Sequence, residues 1–506
     1  MPDPFPRSSG VLLHPTSLPG PFGVGDLGPA AFRWVELLAR AGQAWWQVLP
    51  VGPTGYADSP YQSPSTFAGN LNLLSPEAVA DDGLVSAADV VACELPPGGP
   101  VVFADVIPRK RQLVRTAWER FAAGAGAHDL KAAFAAFTTA EADWLEEYAV
   151  FAAVKDAHGG APWWEWPAPL AAHDRAAVAR AAAALDGAVT AHRFGQFLFA
   201  RQWAALRRFA AARGVKLIGD LPIYVAHDSA DVWANPHLIQ LDAARTPTHV
   251  AGVPPDYFAA TGQLWGNPLY AWDAHRADGF AWWARRVKAV LNQVDLIRLD
   301  HFRGLEAYWA VPFGDPTAER GTWERAPGGE LLAAVRERLG ALPIIAEDLG
   351  FITPEVDALR TRFGLPGMRI LQFAFGGAVE TRFRPHHFTP DAVAYTGTHD
   401  NDTTAGWAEK LAPPERADFT RYAPDAAADP VRALARLAWA SVAELAVCPL
   451  QDLLGLGSEA RMNTPGTTTG NWTWRAPATA LDDPEWVGFL AEITAAYERT
   501  AVIPGR

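Results

Sequence analysis

Residues 294–301 read Val294-Asp295-Leu296-Ile297-Arg298-Leu299-Asp300-His301, a short apolar run that ends in charged and polar side chains. Side chains alternate between the two faces of a strand, so Arg298 and Asp300 share one face. Seven more apolar, β-branched runs recur at 11–15, 45–51, 216–223, 343–349, 368–375, 392–397 and 441–449. Segments with apolar residues at three- to four-residue intervals fit between them, at 29–41, 279–290, 328–339, 353–363 and 429–445, as helices covering a sheet require. This alternation implies parallel βα units, and eight of them make a closed (β/α)8 barrel the economical fold. A doubly wound open sheet is the runner-up.

The second and third runs are separated by residues 52–215, far more than an ordinary crossover needs. An inserted subdomain is expected there, Ala-rich and mainly helical at 131–155, 175–185 and 190–213, and interrupted by the Gly- and Pro-bearing stretch 159–169. A second, loop-rich insertion is expected between strands three and four, at about 226–273. The chain thus divides into residues 1–70 as the first part of the barrel, 71–190 as the helical excursion and 191–506 as the rest of the barrel.

Composition limits the possible partners. A hydrophobic content of 49% over 506 residues supplies a large core. A formal charge of −13 argues against nucleic acid, whose phosphates require clustered Lys and Arg. Cys93 and Cys448 are the only cysteines, too few for a disulfide framework or a thiolate metal site, and they fit a reducing compartment. Residues 1–10 lack an apolar signal core, and the first hydrophobic run breaks at His14-Pro15. The expectation is a cytoplasmic protein, with no membrane partner. The 42 prolines and 43 glycines are scattered among motif-like loops such as Leu18-Pro19-Gly20-Pro21, which favours shaped loops over disorder. The 21 tryptophans read first as core filling and second as flat platforms for sugar rings.

Barrel enzymes place their chemistry at the C-terminal ends of the strands. Four runs end there in acids: Asp220 after Ile218-Gly219, Asp300 after Arg298-Leu299, Glu347-Asp348 after Ile345-Ala346, and Asp400 and Asp402 in Thr398-His399-Asp400-Asn401-Asp402. Any one of them could cap a following helix. Four together point to a single pocket, where neighbouring carboxylates push each other's pKa values apart. Glycosidic bond cleavage needs that division, one ionised nucleophile and one protonated acid. Arg298 is placed to hold Asp300 ionised.

With these residues the chain resembles the 4-α-glucanotransferases known as amylomaltases or disproportionating enzymes, relatives of the α-amylases. The resemblance runs from Leu13-His14-Pro15-Thr16-Ser17-Leu18-Pro19 to Gly470-Asn471-Trp472. It includes Asp58-Ser59-Pro60-Tyr61-Gln62-Ser63, Ser229-Ala230-Asp231-Val232-Trp233, Gly252-Val253-Pro254-Pro255-Asp256-Tyr257-Phe258 and Gly397-Thr398-His399-Asp400-Asn401-Asp402-Thr403. It implies Asp300 as nucleophile, Glu347 as acid/base and Asp400 as the carboxylate that binds sugar hydroxyls and stabilises the transition state. It also implies Tyr61 as an aromatic platform and Arg298 and His399 as a basic pair. Ser59, Asp220, Asp256, Gln263, Trp265, His301 and Asn471 fall on positions similar to sugar contacts. A glucan donor and a sugar acceptor are the implied partners, with no cofactor and no metal, and a monomer is expected.

Residues 249–258 carry Pro254-Pro255, which fix φ and donate no backbone hydrogen bond. They are expected to project as a stiff loop, which the resemblance places over the catalytic groove, where apolar side chains would exclude water. Gly23-Val24-Gly25-Asp26-Leu27-Gly28 satisfies a dinucleotide pattern, but the second run ends Gln47-Val48-Leu49-Pro50-Val51 without an acidic ribose partner, so a tight loop is the better reading. His386-His387 and Asp400-Asn401-Asp402 lack a supporting cluster at ligand spacing. The rival functions are a hydrolase using the same three carboxylates and a non-catalytic glucan-binding barrel. The second has no need of a nucleophile and an acid converging.

Overall fold

A computed structural model describes residues 6–255, 260–375 and 381–500. Twelve strands occur among them, in chain order β1 (Ser8–Leu12), β2 (Trp45–Gln47), β3 (Lys216–Leu221), β4 (His249–Val253), β5 (Gln263–Pro268) and β6 (Leu296–Leu299). They continue with β7 (Ala307–Pro312), β8 (Thr322–Arg325), β9 (Ile344–Ala346), β10 (Gly367–Ile370), β11 (Ala392–Tyr395) and β12 (Leu445–Pro449). Eight of them close a barrel in the order β1-β12-β11-β10-β9-β6-β3-β2, and every ladder in it is parallel. The first strand lies earlier than its apolar run suggested, because Pro15 already opens a tight turn at Pro15–Ser17 and Ser8 donates back to the Glu444 carbonyl.

Strand alternation sorts the barrel side chains into two sets. Leu12, Trp45, Ile218, Leu296, Ile345, Met368, Val393, Tyr395 and Val447 pack together as an inner cluster. Leu217, Ile297, Leu299, Ala346, Ala394 and Ala446 belong to the larger core shared with the surrounding helices. Seven tryptophans, among them Trp34, Trp46, Trp283 and Trp439, are essentially inaccessible, so core filling is the main use of this residue. A Cβ on Gly10 would come within 2.6 Å of the Trp45 Cβ; only glycine lets the indole close the barrel floor.

The excursion after β2 is helical, with boundaries that periodicity alone placed imperfectly. The stretch expected as one helix at 131–155 is two, Leu130–Ala140 and Ala142–Ala157, parted at Glu141. The helix expected at 190–213 is Asp186–Ala211, so residue 190 lies inside it. Phe103–Ala122 is a further helix, carrying Pro108 in its second turn; the proline hides it from a periodicity argument. The stretch at 429–445 is helical only over Pro430–Ala440.

The regions on either side of β6, with β4 and β5 before it and β7 and β8 after it, depart most from expectation. Strands β5, β4, β7 and β8 form a separate antiparallel sheet in that order. The 249–258 stretch is therefore a strand in its first half, His249–Val253, paired on both sides. Pro254 and Pro255 end it, since neither can donate to a ladder; Asp256, Tyr257 and Phe258 lie outside the described residues. The glycine-rich 23–28 segment is a tight loop: a Cβ on Gly25 would lie 2.1 Å from the Pro15 carbonyl oxygen. Asp26 accepts from the Gly28 N–H and pairs with the buried Lys110.

Candidate active site

The inward positions above the apolar layer carry the polar residues. Two residues on from Ile218, Leu296 and Ile345, strand parity turns Asp220, Arg298 and Glu347 into the barrel, and Asp300 follows Arg298 on the same face. Asp220 and Arg298 are direct cross-strand partners. Arg298 Nη1 donates to Asp220 Oδ2 at 2.7 Å, and its Nη2 lies 3.0 Å from Asp300 Oδ1. Both members of the first pair are buried, where an uncompensated charge would be costly.

Glu347 is held by two backbone donors: the His301 N–H reaches Oε2 at 2.7 Å and the Leu349 N–H reaches Oε1 at 3.0 Å. His301 adopts the left-handed region at φ 49°, unusual for a residue with a Cβ, and such strain clusters at functional sites. Burial, assisted by the Asp300 charge, pushes the Glu347 carboxyl up to about 8 against the opposing pull of Arg298 and the two N–H groups. Burial likewise raises Asp220 to about 7, opposed by Arg298 and by the Tyr61 hydroxyl.

A hydrogen-bonded chain crosses the mouth from β3 to the segment after β11. The Tyr61 hydroxyl donates to Asp220 Oδ2 at 3.0 Å and lies 2.9 Å from His399 Nε2, which in turn is 3.3 Å from Asp400 Oδ2. The Tyr61 and His399 rings are stacked, and Trp472 tilts against both. Burial lowers the His399 pKa against the opposing pull of the Asp400 charge, which favours the neutral imidazole. Ser59 sets Tyr61 from behind, its hydroxyl accepting from the Tyr61 N–H at 3.2 Å.

Across the mouth, Trp265 meets the His301 ring edge to face with centroids 4.7 Å apart, and its Nε1 donates to Gln263 Oε1 at 3.2 Å. Both residues come from β5, which is tied to the Tyr61 loop because Gln62 Nε2 donates to Asn267 Oδ1 at 3.0 Å. Asp300, Glu347, Asp400, Tyr61, Asp220, Arg298, His301 and His399 are thus linked at the barrel mouth, with Gln263 and Trp265 beside His301. Ser59 acts one step back. Asn471 is spent locally: its side chain accepts from the Thr464 N–H and donates to the Thr467 carbonyl, closing the 464–471 loop.

Sequence reasoning missed Asn463, whose Nδ2 donates to Asp400 Oδ1 at 2.6 Å, and Arg461, which donates to the Asp400 carbonyl at 2.5 Å. Both lie after the last strand, outside the strand-end pattern that located the acids. Asp402 was a strand-end acid too, but it is paired with Ser458, Lys410 and the Thr403 N–H, a role in the loop and not in the mouth.

Residues 13–480 match the family described as 4-alpha-glucanotransferase. The 4-alpha-glucanotransferase of Thermus thermophilus is 50% identical over 503 residues, covering 98% of this chain and 99% of that protein. That of Synechocystis is 47% identical, covering 97% and 98%. The solved amylomaltase of Streptococcus agalactiae, in complex with acarbose, superposes with a TM-score of 0.94 at 36% identity, covering 98% of this chain and all of that one. A barrel with acids at the ends of β3, β6, β9 and β11, a family match over nearly its whole length and full-length relatives at up to half identity lead to one conclusion: the chain belongs to the 4-alpha-glucanotransferase family.

Proposed function

We propose that the chain transfers α-1,4-linked glucan segments by a retaining double displacement, with Asp300 as nucleophile, Glu347 as general acid and then base, and Asp400 as the stabilising carboxylate. The observation that carries this reading is the contrast between two carboxyls on adjacent strands. Asp300 is paired with the Arg298 guanidinium, whereas Glu347 is buried and raised to about 8, so it carries its proton at neutral pH. In the first step a Glu347 proton passes to the glycosidic oxygen as the C1–O bond breaks, and an Asp300 oxygen bonds to C1. In the second, an acceptor hydroxyl gives its proton to the Glu347 carboxylate while its oxygen bonds to C1 and Asp300 departs.

Asp400, fixed by Asn463 and Arg461, is poised to hold sugar hydroxyls as the ring flattens. Tyr61, Arg298, His399, Asp220, His301, Gln263 and Trp265 would contact the sugars, joined by Asp256, with Ser59 and Asn471 shaping the loops around them. The stacked Tyr61 and His399 rings and the half-buried Trp265 give the mouth apolar walls. Such walls exclude water while leaving an incoming sugar to be oriented by its own contacts. Glucan donor and sugar acceptor are the partners in this reading, and the protein acts as a cytoplasmic monomer, where its two buried, unpaired cysteines would stay reduced.

Incubation with maltotriose tests the reading. Glucose and a ladder of longer maltooligosaccharides should appear while total reducing ends stay nearly constant, because each transfer breaks one glycosidic bond and makes another. Rising reducing ends, with no product longer than the substrate, would show a hydrolase instead.

A further inference from the structure

Beside Glu347 the barrel rim carries two large aromatic side chains that keep an exposed surface: Phe351 is 71% exposed and Trp323 39%. Phe351 follows Glu347 by four residues, at most about 14 Å of extended chain. Trp323 lies on β8, the edge of the second sheet. Arg303 joins them. It stands two residues after His301, whose N–H holds Glu347. Its Nη1 donates to the Phe351 carbonyl at 2.9 Å, and its guanidinium lies 3.8 Å from the Trp323 ring centre and 5.9 Å from that of Phe351. Arg303 is only 5% exposed, and its Nε has no hydrogen-bond partner among the described residues. The guanidinium covers part of the indole, Trp309 packs against it from the neighbouring strand with ring centroids 5.2 Å apart, and what stays open is the exposed part of the Trp323 ring.

Exposed aromatic clusters on a folded surface mark binding sites more often than isolated apolar residues do. The occupant follows from the position beside Glu347. Because Glu347 protonates the departing oxygen in the proposed mechanism, the leaving and accepting sugars lie on its side of the reacting bond. A glucan longer than one unit must then continue along the rim, and the apolar face of a sugar ring suits an open indole or phenyl ring. We propose that Trp323 and Phe351, braced by Arg303, form an outlying acceptor subsite that stacks a sugar beyond the one that reacts. The subsite rests on the transferase reading above.

The test uses α-maltotriosyl fluoride as donor, because its leaving group needs no sugar on the acceptor side, and compares glucose with maltotetraose as acceptors. In Trp323→Ala, and separately in Phe351→Ala, the ratio of kcat/KM for maltotetraose to that for glucose should fall about tenfold, nearly all of it in the acceptor KM. Trp323→Phe should restore most of the ratio. Phe351→Ala guards against misfolding at β8, since its side chain is exposed and the carbonyl that binds Arg303 remains. An unchanged ratio in both variants, or an equal fall for both acceptors, would overturn the subsite. So would an unchanged ratio accompanied by dissociation of a parent oligomer in gel filtration, which would make the patch a contact between copies. Failure of the parent to transfer to either acceptor would instead remove the transferase reading, and the subsite with it.

Discussion

Glu347 shows how little separates a catalytic acid from an ordinary carboxylate: the same side chain one residue later would face the other side of the barrel wall. Its burial and the nearby Asp300 hold the pKa at about 8, although two N–H groups and Arg298 favour the charged form. Because the acid must be protonated to act, kcat/KM should fall on the alkaline side with a midpoint near pH 8. Glu347→Gln should lose about 10²- to 10⁴-fold in transfer between natural maltooligosaccharides, and a pH–rate profile whose alkaline limb survives that change would assign the limb to another group. At Asp300 the expectation is covalent. A slow fluorosugar donor should label this residue and no other on peptide mapping, while Asp300→Asn, folded as judged by circular dichroism, should lose on the order of 10⁴-fold or more in turnover. Left-handed His301 belongs to the same scale: its backbone, more than its ring, delivers a donor to Glu347.

Strand β9 and the residues after it divide their two acids between two tasks. Glu347 points inward, and Asp348 points outward into a fully buried site. There its Oδ1 accepts from the Met368 N–H at 2.7 Å, and its Oδ2 lies 3.1 Å from Arg369 Nη1 and 3.6 Å from Arg360 Nε. This carboxylate ties β9 to β10, whose only described register pair with it is Gly367 to Ala346, and to the helix Pro354–Phe363. A Cβ on Gly367 would lie 2.3 Å from Asp348 Oδ2, so the close approach requires glycine there. Replacing Asp348 by Asn leaves the Arg369 guanidinium under-compensated in a buried site, while Arg360 keeps Asp391, and should cost about 3 kcal/mol in urea unfolding. Because β9 sets the start of the Glu347 segment, activity should fall as well. A variant with parental stability would mean that Arg369 finds another acceptor. The second sheet works in the same way at a distance, since β5 brings Gln263 and Trp265 to the mouth only because β4 and β7 hold it there.

At the scale of the whole molecule, buried titratable groups make stability depend on pH in a way that can be signed. Burial raises Glu347 to about 8, Asp220 to about 7 and Asp231 to about 6. Their contribution is fully present below about pH 4 and is lost as pH rises through those values. Burial lowers His14 and His301 to about 3 and His275 to about 4, so the folded state keeps them neutral, and stability is lost as pH falls below about 6.5. Three groups of each kind oppose one another between about pH 4 and 6.5. Thermal unfolding should therefore show a plateau across that window and a decline from pH 7 to 9, and Glu347→Gln should flatten the alkaline decline. A melting temperature that rises from pH 7 to 9 would contradict the burial of these acids. The sequence by itself determined the eight-strand barrel, the inward pairing of Arg298 with Asp300 and the four strand ends that carry acids. These depend on local periodicity, because alternation along one strand decides which way a side chain faces. It also carried, in contiguous motifs, the resemblance that the family match bears out. Only the tertiary structure decided the second sheet, the split at Glu141, the local use of Asn471 and the grip of Asn463 and Arg461 on Asp400. The second sheet and the grip on Asp400 join residues far apart in the chain, while the split at Glu141 and the Asn471 loop are local. In all four the free energy that selects them comes from burial and hydrogen bonding, which no period in the sequence records.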